Sequence, residues 1–457
     1  MTHSSSPTLP HPALAAADAA ARRWLDTRGA RGIPAGVTYA DVRAHLPSAM
    51  PSAGLPPDRV IDELAAAVEP GLLAIDSPRF YGWVMGGALP AALGADWLVS
   101  AWDQNAGMRE ATPGVVAVED VAGSWLTELL GLPEESAVGF VTGATMANFT
   151  ALAAARDDVL ARVGWDVATR GLTGTAITVV VGAERHSSID LALRYLGLGH
   201  PRVVGSDGEG RTRVDALRAV LADVNGPVIV CAQAGNIHSG GFDPMVEIAD
   251  ATHAAGGWLH VDGAFGLWAA ASPRLAHLVS GLADADSWAT DAHKTLNTPY
   301  DTGVAVVRDA AALTRAFGHR ADYLLEATTP DPHETVPEMS RRARGVPVWA
   351  ALRSLGRDGV AALVDGMVAA ARRLADALVL LPGVEVLNDV VYTQVSVALE
   401  NDERTAELLR RVLAEGVIHP SGSRWRDRAV IRFSVSNHAT DADAVDDTVE
   451  AVRRALA

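Results

Sequence analysis

Asp291-Ala292-His293-Lys294-Thr295-Leu296-Asn297 lies between Ala289 and the apolar run Gly303-Val304-Ala305-Val306-Val307, so Lys294 falls in a short turn between two predicted buried strands. Burying an ammonium is costly unless it is paired, or unless the amine becomes something else, such as a Schiff base whose nucleophilic form gains from desolvation. The plainer reading is a lysine whose stem packs while its head reaches water. The surrounding stretches decide between the two.

Upstream of the lysine, short apolar runs alternate with helical patterns. Gly139-Phe140-Val141 leads through a glycine turn into a helix over 147–163. A β-branched run at 176–181 precedes a helix at 188–196. A helix at 213–224, a strand at 227–231, a helix at 245–255 and a strand at 258–261 follow. This alternation predicts an α/β fold with a mostly parallel sheet covered on both faces, its ligand at the carboxyl ends of the strands. Before it, helices over 13–27, 39–46 and 59–68, joined by Pro/Gly turns, form an N-terminal arm with too little apolar face to stand alone, and Val115 onward reads as a core helix over 115–130. After it come a helix at 310–317, a Pro/Thr/acidic stretch over 328–338 that reads as a mobile surface loop, and helices over 344–355 and 360–380. Antiparallel strands at 384–387, 391–399 and 429–436, with helices at 402–415 and 442–456, give a smaller C-terminal α+β domain. The predicted divisions are 1–90 (arm), 91–345 (large domain) and 346–457 (small domain).

Chemistry-bearing residues recur at the strand ends. Thr142-Gly143-Ala144-Thr145 places small residues and a hydroxyl at a helix N-terminus, where backbone N–H groups bind phosphate. His186 follows the strand at 176–181, either as a flat partner for an aromatic ligand or as a helix-start residue beside Ser187 as N-cap. His260-Val261-Asp262-Gly263-Ala264 ends another strand with a carboxylate that needs a cationic partner and a small residue that leaves room for a flat ring. Pyridoxal 5'-phosphate answers all of these together, since it needs a lysine for its aldehyde, a carboxylate for its ring nitrogen, an anion cradle and something flat over the ring. A metal site built from His186, His253, His260, Asp262 and His293 matches no compact zinc spacing and leaves Lys294 without work. No Gly-x-Ser-x-Gly elbow supports a hydrolase.

Asp291-Ala292-His293-Lys294, with His186-Ser187-Ser188 and His260-Val261-Asp262-Gly263-Ala264 upstream and Ser340-Arg341-Arg342-Ala343-Arg344 and Arg432-Phe433-Ser434-Val435-Ser436 downstream, resembles the group II pyridoxal-phosphate decarboxylases, which include aromatic-amino-acid and glutamate decarboxylases. The resemblance runs from about Pro78 to the C-terminus. It implies a fold-type-I, aspartate-aminotransferase-like homodimer with the active site at the subunit interface. It further implies that Lys294 holds the cofactor aldehyde, Asp262 pairs with the ring nitrogen, His186 stacks on the ring and Ala264 lies beneath it. Ala144, Thr145 and Asp291 would line the phosphate side, with Gln233 near the cofactor where a small hydroxyl residue is usual, and His293 beside the substrate. Two departures stand out. The stretch Thr329–Thr335 lacks the loop tyrosine that returns a proton to the substrate in many relatives, which leaves His333 or a water for that task. Asp291 puts an acid near a phosphate dianion, which is repulsive unless it shapes the turn or accepts backbone N–H bonds.

The totals limit the alternatives. A chain of 457 residues, 49% hydrophobic and 20% charged, is of globular composition, and a net charge of −17 argues against nucleic acid or an anionic membrane as the main partner. The single cysteine, Cys231, excludes an intrachain disulfide. With no membrane-length apolar run and no visible signal peptide, the chain reads as a soluble, cytoplasmic protein. The expected activity is decarboxylation of an L-α-amino acid to its amine. Phe80, Tyr81, Trp83 and Trp102 favour a flat or apolar side chain, and Arg344 is the one cation suggested for an acidic substrate. Oxidative deamination to an aldehyde and carbon–carbon lyase chemistry are the alternatives on the same scaffold.

Overall fold

The apolar runs pair as one seven-stranded sheet in the computed structural model, which describes residues 11–28, 31–318 and 330–457. Its strands are β1 (Ala137–Val141), β2 (Thr178–Gly182), β3 (Arg202–Val204), β4 (Val228–Gln233), β5 (Trp258–Asp262), β6 (Ser287–Asp291) and β7 (Gly303–Val307), in the order β1-β7-β6-β5-β4-β2-β3. β7 runs antiparallel to β1 and β6, and the other pairs are parallel. Every residue of β5, β6 and β7 is buried, which is why none of them shows the regular apolar–polar alternation of a half-exposed strand. The sequence reading omits β3, a three-residue edge strand with two exposed members and no such run.

The arm contains α1 (Pro12–Asp26), α2 (Tyr39–His45) and α3 (Pro57–Val68), and α4 (Pro90–Trp102) and α5 (Pro113–Leu129) lead into the sheet. All but α2 start with a proline in the first turn, where a missing N–H costs nothing. Between the strands lie α6 (Ala144–Ala161), α7 (Val167–Arg170), α8 (Ser187–Tyr195), α9 (Val214–Ala222) and α10 (Met245–Ala254), and α11 (Ala310–Phe317) follows β7. The alanine-rich α6 lies across β5, β6 and β7, its small buried side chains allowing close approach to the sheet.

The two helices expected after residue 344 run together as α12 (Gly345–Leu378), with the break held in Gly356 at φ 65° and ψ 179°, a conformation open to glycine alone. Its buried residues as far as Val368 join the core around the large sheet, and those from Met367 onward join a second core. That core packs on a four-stranded antiparallel sheet, order β10-β11-β9-β8, made of β8 (Glu385–Val386), β9 (Gln394–Ala398), β10 (Ser421–Trp425) and β11 (Arg428–Ser434), with α13 (Asp402–Glu415) and α14 (Ala442–Leu456). Where it is described, the expected surface loop is instead a packed turn. Pro332, His333 and Val336 are buried, and Asp331 and Glu334 cap each other's backbone. The readings for residues 1–10 and 328–329 lie outside the described residues.

Gly303 begins β7 opposite both Val141 and Asp291, and a Cβ there would lie 2.4 Å from the backbone of Gly143. The strand end and the turn before α6 therefore touch backbone to backbone. Gly303→Ala should lower unfolding stability by about 1–3 kcal/mol, the usual cost of overpacking, and chemical denaturation of the two proteins checks this; an unchanged midpoint would contradict the contact.

Candidate active site

Beyond β6 the chain turns sharply, and Lys294 Nζ comes back to within 2.9 Å of Asp291 Oδ2. The other oxygen of Asp291 accepts the N–H of Ala144, the first residue of α6, at 2.6 Å. A lysine and a helix N-terminus thus hold one buried carboxylate. This resolves the oddity of an acid here, because Asp291 binds a backbone N–H and balances Lys294.

His293 Nδ1 accepts the N–H of Thr302 at 3.1 Å, which leaves its proton on Nε2, 3.5 Å from Asp291 Oδ1. Burial holds this imidazole below its ordinary value against the pull of Asp291, so it is neutral at pH 7. The Tyr300 ring lies over it at 4.2 Å between centroids. Burial, with the charge of Asp291 adding to it, pushes the Tyr300 phenol up to about 12.

Asn297, at φ 54°, fixes the far side of the turn. Its amide donates to Lys294 O at 2.7 Å and Ser436 O at 2.8 Å, while Oδ1 accepts from Gly87 and His438 N–H groups. A Cβ on Gly86 would sit 2.4 Å from Lys294 O. The Gly86-Gly87 pair therefore admits the lysine turn rather than a ligand.

Asp262 ends β5 and is 4% exposed. Its Oδ1 accepts the N–H of Ala264 at 3.2 Å, and it has no ion pair among the described residues. Burial pushes this carboxyl up, with His186 and Lys294 drawing it back. A buried carboxylate without a bonded cation is costly, and a protonated ring nitrogen is a group that relieves it. His186 itself caps α8, correcting the expectation of Ser187: its Nδ1 accepts the Ser188 N–H at 3.2 Å and lies 2.8 Å from the Ser188 hydroxyl.

One cavity of ≈ 300 Å³ is lined by Ala144, Thr145, His186, Gln233, Asp262, Ala264, Asp291, His293 and Lys294, every residue expected at the cofactor. Trp83 joins them, with Val84, Ile237 and Phe265, which the sequence reading did not single out. Trp83 and Val84 both have positive φ, 51° and 65°, a strained pair at the cavity wall held by the Trp83 N–H bond to Ser421 Oγ at 3.0 Å.

Five expected residues do not line this cavity. Phe80 is fully buried against His419, and Tyr81 sits in the second core with its hydroxyl 2.8 Å from Thr448 Oγ. Trp102 ends α4 with its ring exposed. Arg344 is engaged by Asp301 at 3.0 Å. His333 is buried and donates from Nδ1 to Gly107 O at 2.9 Å.

The pyridoxal-dependent decarboxylase conserved domain matches residues 40–400. The chain belongs to the pyridoxal-dependent decarboxylases. An aromatic-L-amino-acid decarboxylase of Bacillus atrophaeus is 27% identical over 88% of this chain and 86% of its own length. An L-2,4-diaminobutyrate decarboxylase of Rhizobium meliloti (strain 1021) is 35% identical over 61% of this chain and 56% of its own length, and a phenylacetaldehyde synthase of Arabidopsis thaliana is 24% identical over 87% and 85%. The solved structure of Oryza sativa TDC with PLP and tryptamine shares the fold, with a TM-score of 0.91 at 23% identity over 99% of each chain. This decarboxylase is a carboxy-lyase acting on amino acids with pyridoxal phosphate as its cofactor.

The sequence reading also passed over Arg432 of β11. It is 5% exposed, its Nε is unbonded, and it has no ion pair among the described residues. Burial lowers its guanidinium to about 10. The signal was present, since the motif Arg432-Phe433-Ser434 stood out, but a strand pattern does not tell a paired arginine from a free one.

Burial pushes the imidazole of His260 down to about 3 from 6.5. Below about pH 6.5 the unfolded chain binds a proton there and the folded enzyme does not, so this group's contribution to stability falls as pH drops toward 3. Relative to His260→Gln, the wild type should lose about 1.4 kcal/mol for each pH unit below about 6.5. Denaturation midpoints from pH 7.5 to 4.5 test this, and parallel curves would contradict it.

Proposed function

We propose that this decarboxylase acts on an L-α-amino acid with a flat or apolar side chain and releases the corresponding amine. The observation that carries the reading is that Lys294, Asp262 and His186 line one cavity whose larger apolar side chains are Trp83, Val84, Ile237 and Phe265. Pyridoxal phosphate supplies a ring that takes up the electron pair left by a departing carboxylate.

The chain's own residues would do the rest. Lys294 offers the amine for the cofactor aldehyde, and Asp262 holds a proton on the ring nitrogen. His186 and Ala264 would bound the two faces of the ring, with Gln233 near it. Thr145 and the start of α6 offer a hydroxyl and backbone N–H groups to the phosphate, with Asp291 keeping Lys294 in place beside them. The neutral imidazole of His293 offers an Nε2–H beside the substrate.

Arg432 is the cation we assign to the substrate carboxylate. It has no ion pair among the described residues, and its charge reaches His186, whose imidazole is held down first by burial, with Lys294 and Arg432 adding to it against Asp262. Arg344, spent on Asp301, does not fit an acidic side chain.

Amine release needs a proton at Cα after carbon dioxide leaves. His333 faces Gly107 in its own chain, and this favours a second outcome. There dioxygen accepts the electron pair and becomes hydrogen peroxide, water supplies the aldehyde oxygen as ammonia leaves, and the products beside carbon dioxide are aldehyde, ammonia and peroxide; the phenylacetaldehyde synthase relative is named for an aldehyde product.

We assign the enzyme a homodimeric state. Trp97, Leu98 and Trp102 of α4 and Tyr39, Met50 and Leu64 of the arm are exposed apolar groups that a second copy would cover. Trp102 would then serve the partner's site.

Incubating the enzyme with a panel of amino acids, while measuring carbon dioxide, amine, aldehyde and peroxide, should show fastest turnover with aromatic substrates and loss of the visible cofactor band in Lys294→Ala. Arg432→Met should lower kcat/KM about 10- to 100-fold, the range for losing a charge-assisted hydrogen bond. Preference for acidic substrates, or an Arg432→Met enzyme at full kcat/KM, would contradict the reading.

A further inference from the structure

Strand alternation places His260 and Asp262 on one face of β5, and Asn148 of α6 lies over both. Ser287, His260 and Asn148 are 0% exposed and Ser188 is 6% exposed, so each polar atom must find its partner within the protein. They do so in a single file. Ser287 Oγ is 3.0 Å from His260 Nδ1, His260 Nε2 is 2.9 Å from Asn148 Oδ1, Asn148 Nδ2 is 3.3 Å from Ser188 Oγ, and Ser188 Oγ is 2.8 Å from His186 Nδ1.

The direction of every proton in this file follows from its ends. At the cavity end, the Ser188 backbone N–H can only donate, so His186 Nδ1 is an acceptor. The Ser188 hydroxyl therefore also donates to Nδ1 and accepts from the Asn148 amide. Asn148 Oδ1 must then accept from His260, which carries its proton on Nε2 and takes the Ser287 hydroxyl at Nδ1. At the far end the Trp258 indole N–H, a donor only, feeds Ser287 Oγ at 2.9 Å. The two fixed donors agree on one polarity.

We infer that Asn148 and His260 are positioning residues, which through Ser188 keep the proton of His186 on Nε2, facing the cavity. The inference rests on the reading that His186 and Asp262 face the cofactor ring. It explains why a histidine that binds no ligand is enclosed two residues from the key acid. A neutral imidazole, donor at one nitrogen and acceptor at the other, transmits a fixed polarity along the file, and the deep burial of His260 keeps it neutral across the working pH range.

The test is ¹⁵N NMR of the His186 imidazole in cofactor-free wild type, Asn148→Leu, Ser188→Ala and His260→Gln, alongside steady-state kinetics of the holoenzymes. Wild type should show one neutral tautomer protonated on Nε2. Asn148→Leu and Ser188→Ala free or remove the 2.8 Å hydroxyl bond and leave the longer 3.2 Å backbone N–H as the one fixed donor to Nδ1, so both should show a measurable fraction of the Nδ1-protonated form, and His260→Gln, which keeps a donor toward Asn148, should stay close to wild type. In Asn148→Leu kcat should fall on the order of 10- to 100-fold, the range lost when partners that orient a functional imidazole are removed, with KM changed far less.

A wild-type imidazole protonated on Nδ1 overturns the proposal, and so does an Asn148→Leu enzyme with an unaltered tautomer and full kcat. Ser188→Ala opens no cavity of consequence, so it decides the matter if Asn148→Leu fails to fold. The tautomer is read without cofactor or substrate, so a wrong substrate class leaves that result standing, and a wrong tautomer leaves the decarboxylase reading standing.

Discussion

The enclosure of ionisable groups at the ends of neighbouring strands is the constraint on which the rest of this structure depends. Asp291 satisfies it with Lys294 on one oxygen and the first N–H of α6 on the other. Those two bonds join the end of β6, the turn beyond it and the helix that crosses the sheet. Asn297 extends the joint to Gly87 and to Ser436 beyond β11, so the lysine is gripped by both halves of the chain. Charge here costs too much to leave loose, and the backbone is arranged to answer it.

Asp262 has the opposite character. It has a backbone N–H but no bonded cation among the described residues, in a cavity shaped for something flat. A fully balanced acid and an under-balanced acid at adjacent strand ends define a direction across the cavity. The lysine stands at one end of it, and the other is the place we propose for a positive ring nitrogen. This asymmetry is what makes the pocket suit pyridoxal phosphate rather than merely admit it.

Much of this was legible in the sequence because burial on both faces leaves a plain signature. β4 and β5 are largely apolar runs that end in Gln233 and Asp262, and the parallel β6 beside them ends in Asp291, so these polar residues meet at the carboxyl ends of three neighbouring strands. The edge strand β3 and the strand β10, with its exposed Gly422 and Arg424, carry no such run and were missed. Helix bounds at 310–317, 402–415 and 442–456 agree with the sequence reading because Asp309, Asn401 and Asp441 cap them.

What stayed hidden was the direction in which a side chain faces. Phe80 and Tyr81 look like pocket aromatics but fill protein cores, whereas their neighbour Trp83 reaches the cavity through a left-handed backbone that no periodicity foretells. His260 lay inside a noted motif and Asn148 in an expected helix, and only their mutual distance gives them a shared task.

The central claim is that Lys294 is the residue that binds the cofactor aldehyde, and the most direct measurement is borohydride reduction of the holoenzyme followed by peptide mass mapping. The account predicts a stable mass increment equal to the reduced cofactor on the peptide carrying Lys294, absent from Lys294→Ala. An increment on another lysine, or none in protein that has bound the cofactor, would contradict it.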